Sequence, residues 1–265
     1  MYAVIIGINY AGTSNQLGGC INDAENILLY LKDEHQFVAD DDHLIYMTDN
    51  TRQKPTYNNI LNALEWLCKD RKSGESLFFS FSGHGSRLQD RNGDEKDGKD
   101  EVLVPIDFED EGMFIIDDQI REIIAKLPQD VRLFSICDCC HSGTSFDLKY
   151  NYHNHKQNNF STMRVTQNNY SETNANVIVI SGCKDYQTSA DTVLPDPVSN
   201  QDEYQGALTG TLLSIMREMH IQETKISYKK TIQHLCQKLK ENGYAQIPQL
   251  TSGRLLNCED DMRFL

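Results

Sequence analysis

VRLFSICDCCHSG, residues Val131–Gly143, decides the reading of this chain. An apolar run of strand length (Leu133, Phe134, Ile136) climbs into an acid, two thiols, an imidazole and a Ser-Gly turn. Polar chemistry therefore sits where a buried strand ends, which is where active sites form in α/β proteins. A second run, ESLFFSFSGHGS at Glu75–Ser86, ends the same way and delivers Ser82 and His84, the latter between Gly83 and Gly85. The two strand ends are expected to meet in space.

Outward from these runs, strands and helices alternate. Tyr2–Ile8 reads as a buried strand, followed by a loop at Gly12–Gly19 and a helix at about Asn22–Phe37, with Asn22 as N-cap and Glu25 three residues on. His43–Met47 reads as a strand, and Tyr57–Lys69 as an amphipathic helix carrying Ile60, Leu61, Leu64 and Leu67. Leu77–Phe81 is the next strand, Glu101–Phe108 and Met113–Ile116 a short hairpin, and Asp117 the start of another helix. Asn151–Asn176, rich in Asn, Gln, Ser and Thr, reads as a mobile surface connection. Beyond it come a strand at Val177–Ser181, helices at about Gln205–His220 and Ile226–Asn242, and a short strand near Gln249. The expected class is α/β, a mostly parallel central sheet flanked by helices on both faces. The later half has too few strands to close its own sheet, so one domain over 1–265 is expected: a first half (1–150), the connection (151–176) and a second half (177–265).

The composition, 39% hydrophobic and 24% charged over 265 residues, is an ordinary globular balance. A formal net charge of -14 repels nucleic acid and anionic membranes and attracts cationic peptides. No apolar run nears membrane-spanning length and no signal-peptide pattern follows Met1, so a soluble cytoplasmic protein is expected, working as a monomer. Eight cysteines, three of them crowded at Cys137, Cys139 and Cys140, do not form a disulfide framework.

FSGHG, with Asp138-Cys139-Cys140-His141-Ser142-Gly143 downstream, resembles the paired signature of metacaspases, the caspase-like cysteine proteases of organisms other than animals. The resemblance extends over AVIIGINY, LGGCINDA, DEVLVPID, VIVISGCKDYQTSAD, GALTGTLL and IPQLTSG, in that order. His84 precedes Cys140 by about fifty residues, the separation found in caspases. A caspase-like fold of type I metacaspase kind, without an N-terminal extension, is what the resemblance implies. It also implies Cys140 as nucleophile, since the family places that residue immediately before His-Ser-Gly.

A free thiol of pKa about 8.5 is mostly protonated at neutral pH, so Cys140 needs a base, and His84 is the candidate. The backbone N–H groups of Gly85 and Cys140 are candidates for the oxyanion hole. Cys20, Asp23, Ser82 and Asp138 match the positions that line the metacaspase specificity pocket, where two carboxylates would select Arg or Lys. Cys137-Asp-Cys-Cys140 is also a C-x-x-C, which keeps a thiol redox protein open as an alternative, as does a caspase-fold pseudoenzyme acting as a binding scaffold.

From Asp90 to Asp118 acids greatly outnumber bases. An EF-hand is rejected there, because Glu95 stands where the sharp turn needs glycine. The resemblance instead aligns Asp100, Asp117, Asp118 and Asp147 with calcium-binding aspartates, which implies calcium activation. It further implies peptide or protein substrates cut after Arg or Lys, and self-cleavage in the polar connection at Lys149, Lys156 or Arg164.

Overall fold

The computed structural model describes residues 1–90, 98–139, 146–153, 164–182, 191–195 and 202–262. Cys140 and Lys156 lie outside them. The first half runs β1 (Tyr2–Gly7), α1 (Cys20–His35), β2 (Leu44–Thr48), α2 (Tyr57–Cys68) and β3 (Ser76–Ser82). A polar excursion follows: β4 (Gly85–Gln89), β5 (Lys99–Leu103), α3 (Phe108–Glu111), β6 (Ile115–Ile116) and α4 (Asp117–Ile124). The thiol strand is β7 (Arg132–Asp138), and after it come β8 (Tyr150–His153), β9 (Arg164–Gln167) and β10 (Asn176–Ser181). The chain closes with β11 (Asp191–Pro195), β12 (Asp202–Gly206), α5 (Ala207–Ile221), α6 (Tyr228–Glu241) and β13 (Gln249–Ser252).

The central sheet has the order β2-β1-β3-β7-β10-β13-β8-β9. Its members from β2 to β10 pair in parallel, whereas β13, β8 and β9 pair antiparallel. Because β10 hydrogen-bonds to β7, the sheet is continuous from the first half into the second.

Strand alternation fills both faces. Val4 and Ile6 of β1, Leu77, Phe79 and Phe81 of β3, and Leu133 and Cys137 of β7 pack with α2 and α4 on one face. Ala3 and Ile5, Phe78, and Phe134 and Ile136 pack with α1, α5 and α6 on the other. Phe78 and Phe134, opposite one another in register, stack at 6.4 Å. Each such side chain, fully buried, contributes about 1.5–3 kcal/mol against exposure. Hydrophobic runs without alternating polar residues are what a parallel sheet covered on both sides requires.

Four expectations need correction. Helix α1 starts at Cys20, two residues ahead of Asn22, and its Gly19 N-cap makes no side-chain capping bond. Asn9, distant in sequence, caps it instead: its Oδ1 accepts from Cys20 N at 2.9 Å and Ile21 N at 3.2 Å. The hairpin at 101–116 is the lesser part of a three-stranded sheet in which the polar strand β4 pairs with β5. Residues 151–176 are crossed by β8 and β9, which extend the main sheet because Tyr150 and Tyr152 bury their rings in its core. The helix expected from Gln205 starts at Ala207, since Gln205 belongs to β12 in a β11–β12 ribbon. No helix among the described residues is long and apolar enough to cross a membrane.

Candidate active site

The parallel strands end along one edge of the sheet, and β1 lies where the chain order reverses, with β2 on one side and β3 on the other. Ligands bind in the crevice outside strand ends at such a point. His84 and the end of β7 are there. In the β3–β7 register Ser82 stands opposite Asp138, and Gly83 N donates to Asp138 O at 3.3 Å. His84 lies two residues beyond Ser82, and Cys140 two residues beyond Asp138 in sequence. The pairing of the two adjacent strands sets Ser82 and Asp138 side by side at the edge.

His84 is partly exposed, and its ring rests on Tyr10 with centroids 4.7 Å apart. Its Nε2 lies 2.7 Å from the Asn15 carbonyl oxygen. A carbonyl can only accept, so this nitrogen carries a proton, and Nδ1 is left as the nitrogen able to take one from a thiol. The loop supplying Asn15 is folded around Asn9, whose backbone N–H donates to Asp49 Oδ1 at 2.7 Å and whose carbonyl accepts from Leu17 N at 2.8 Å. Asp49 Oδ2 also takes Ala11 N–H at 2.9 Å. Neither Asn9, Tyr10 nor Asp49 was singled out from sequence. The available signal was a polar Asn-Tyr pair directly after an apolar strand. Gly85 opens β4 opposite Leu103.

Two of the three crowded cysteines are accounted for. Cys137 is 0% exposed and its Sγ lies 3.7 Å from Ser135 Oγ. Cys139, 1% exposed, packs in the same apolar cluster as Tyr10 and Phe146. Buried in apolar surroundings, these two thiols are placed as structural cysteines are. Cys140 lies outside the described residues.

Of the four expected pocket residues, the structure brings Asp23 and Asp138 together, and Ser82 stands opposite Asp138 in the strand register. Cys20, Asp23, Ser82 and Asp138 are all buried, the two carboxylates at 1% and 4% exposure. Asp23 Oδ1 accepts from Gly206 N at 2.8 Å, and Asp138 Oδ2 from Thr209 N at 2.9 Å. Gly206 is the N-cap of α5, so both carboxylates gather at a helix N-terminus, where backbone N–H groups and the helix dipole stabilise negative charge. A Cβ on Gly206 would stand 2.5 Å from Asp23 Oδ2 and closer still to Asp138 Oδ2. Gly206→Ala is therefore expected to destabilise the fold by about 1–3 kcal/mol, measured by urea unfolding, because a packed site cannot absorb the methyl group.

Of the expected calcium ligands, Asp100 (5% exposed), Asp117 (1%) and Asp147 (1%) are buried. Asp117 is the first residue of α4 and bridges to β5: its Oδ2 accepts from Glu101 N at 2.8 Å and its Oδ1 from Asp118 N at 2.9 Å. Arg121, one turn further along α4, has its pKa lowered by burial, an effect the charge of Asp147 opposes. Among the described residues no three His, Cys, Asp or Glu side chains stand grouped to hold a metal. The donor type, buried hard carboxylate oxygen, fits calcium, while the set is not a closed cage.

Lys149, expected as a cut site, is partly tied down. Its Nζ lies 3.8 Å from Glu172 Oε1, its carbonyl accepts from Asn168 N at 2.7 Å, and β8 begins at the next residue. Arg164 opens β9, opposite His153.

An α/β sheet carrying an imidazole at one strand end and a cysteine-rich segment at the next defines the caspase-like class of fold. A family model described as metacaspase, peptidase C14 domain, matches residues 2–149. The chain is 35% identical to Metacaspase-1 of Saccharomyces cerevisiae, over 94% of this chain and 66% of that protein. To Metacaspase-1 of Schizosaccharomyces pombe it is 35% identical over 96% of this chain and 68% of the relative. The chain belongs to the metacaspase family. It spans about two thirds of the length of these relatives. A protein of Geobacter sulfurreducens known from a crystal structure has the same fold, with a TM-score of 0.65 at 22% identity, covering 97% of this chain and 94% of that one.

Proposed function

We propose that the chain is a calcium-activated cysteine endopeptidase that cleaves peptide bonds after Arg or Lys. The observation that carries this reading is the convergence of Asp23 and Asp138 at the α5 N-terminus, on the same strand edge as His84. A guanidinium or ammonium group entering beside two buried carboxylates gains charge-assisted hydrogen bonds that an acidic or apolar side chain cannot make.

In this mechanism His84 Nδ1 takes the proton of the Cys140 thiol as sulfur attacks the scissile carbonyl carbon. The carbonyl oxygen gains negative charge, which the backbone N–H groups of Gly85 and Cys140 steady. When the C–N bond breaks, the protonated imidazole gives its proton to the departing amine, leaving a thioester. Water, deprotonated by the same ring, then releases the acid and restores the thiol. Asn15, by accepting from Nε2, keeps the ring in the tautomer this sequence of transfers needs.

Asp100, Asp117, Asp118 and Asp147 are the residues that would hold calcium, which supplies positive charge to carboxylates otherwise costly to bury. Asp147 lies seven residues beyond Cys140 in sequence, so calcium held there would act on the segment that carries the nucleophile. Chelation is expected to reduce hydrolysis of an Arg-terminated peptide at least about ten-fold, with calcium restoring it better than magnesium, whose strict octahedron suits scattered carboxylates poorly. Asp117→Ala with Asp118→Ala should abolish the response. Equal activity in chelator, or a full calcium response in the double variant, refutes calcium activation and leaves the dyad untouched.

Self-cleavage belongs to the same proposal. Cutting after Lys149 or Arg164 requires β8 or β9 to open, so Lys156, between those strands in sequence, is the first position to test by terminal sequencing of the fragments.

A further inference from the structure

Tyr10 is a bulky residue in a left-handed backbone conformation, with φ of 51°, and it is 0% exposed. Such a conformation costs about 1–3 kcal/mol and persists only where the surroundings hold it. Its hydroxyl accepts from His84 N at 2.9 Å and donates to the Val104 carbonyl at 2.7 Å. Val104 N in turn donates to His84 O at 3.0 Å. These bonds close a ring through one side chain and two backbones, joining the β1–α1 loop, the β3–β4 turn and the segment after β5. The Tyr10 ring supports the imidazole from beneath, and Phe108 meets it edge-on at 6.1 Å.

We infer that Tyr10 is a positioning residue for the general base: its hydroxyl fixes the His84 peptide between two strands, and its ring sets the tilt of the imidazole. The inference rests on the peptidase reading above and deepens it. The hydroxyl has to donate and accept at once, so it works only as the neutral phenol. Burial keeps it neutral by pushing its pKa well above the ordinary value of 10.0, an effect the His84 backbone bond opposes and Cys20, Cys139 and Asp49 reinforce. Without the hydroxyl, the His84 peptide loses one of its two anchors, and the imidazole no longer meets the thiol in one geometry. A displacement of about 1 Å in a reacting group costs on the order of 100-fold in rate.

The test compares Tyr10→Phe, which keeps the ring, with Tyr152→Phe, which removes a buried hydroxyl bonded to Ser252 and Leu256 on another part of the sheet. Tyr10→Phe should lower kcat roughly 10- to 100-fold with KM within about two-fold. Peptide-resolved alkylation of Cys140 by iodoacetamide, followed against pH, should move its midpoint upward toward that of a free thiol, about 8.5. Tyr152→Phe should keep both. An unchanged kcat and midpoint in Tyr10→Phe, or an equal loss in Tyr152→Phe, overturns the inference. Alkylation needs no substrate, so a wild type that cuts no basic peptide defeats the peptidase reading while the Tyr10 test still decides. Hydrogen exchange on the unaltered protein adds a check independent of any variant. The His84 amide, held by the hydroxyl, should exchange slowly, and fast exchange there overturns the bridge.

Discussion

Cys140→Ala and His84→Ala are each expected to lower hydrolysis of an Arg-terminated peptide by at least about 1,000-fold, because residues acting as one proton-transfer unit fail together. Cys139→Ala should keep most of the activity. The difference follows from burial: Cys139 is 1% exposed in an apolar cluster and presents no sulfur to a substrate. His84 is partly exposed and contributes little core, so His84→Ala should melt close to the wild type. Steady-state rates with thermal melts on all three variants check this. Strong activity in His84→Ala defeats the dyad, and equal losses at Cys139 and Cys140 leave the nucleophile assignment without support.

Asp138→Asn is expected to lower kcat/KM for peptides ending in Arg or Lys by about 2–5 kcal/mol of transition-state stabilisation, or roughly 30- to several-thousand-fold. Asparagine retains an oxygen to accept from Thr209 N, so the α5 N-terminus stays anchored while the charge is lost. Asp23→Asn should behave likewise through its bond from Gly206 N. Peptides ending in Asp should be ignored by the wild type. Competition assays over Arg-, Lys-, Ala- and Asp-terminated peptides measure the effect, and efficient cleavage after Asp would falsify the acidic pocket.

The legible parts of this fold are those whose pattern is local. The runs at Leu77–Phe81 and Leu133–Ile136 are apolar apart from one buried serine each, Ser80 and Ser135, and strands buried on both faces demand such near-continuous apolar runs, so both appear in the sheet close to their expected bounds. The apolar spacing at Tyr57–Lys69 likewise places α2, which runs Tyr57–Cys68. Where the sequence misleads, the deciding partner is far away. Asn22 looks like the cap of α1, yet Asn9 folds back across the loop and takes that role. The strand GSRLQ carries one apolar residue and reads as loop until β5 pairs with it. Tyr150 and Tyr152 lie among polar neighbours and become core only because β13 runs beside them. The same holds for the candidate site. Asp23 and Asp138 were named from resemblance, but their meeting at Gly206 depends on a helix nearly two hundred residues from Asp23, by the 183-residue span of that hydrogen bond. The bridge made by Tyr10 spans 74 residues to His84 and 94 to Val104, beyond any local pattern.

The strand order has a consequence for what a nick between β8 and β9 would produce. Strands before such a nick occupy the places β2, β1, β3, β7 and β8, and strands after it the places β10, β13 and β9. The pieces are interleaved: β7 meets β10, β13 meets β8 and β8 meets β9 across the break. Strand β8 would keep no sheet neighbour from its own fragment. Neither piece could leave without tearing several ladders, so the cut protein behaves as an obligate heterodimer, unaltered on a sizing column and divided only under denaturant. Two separately expressed fragments should likewise assemble into the sheet only when refolded together, each serving as the template for the other.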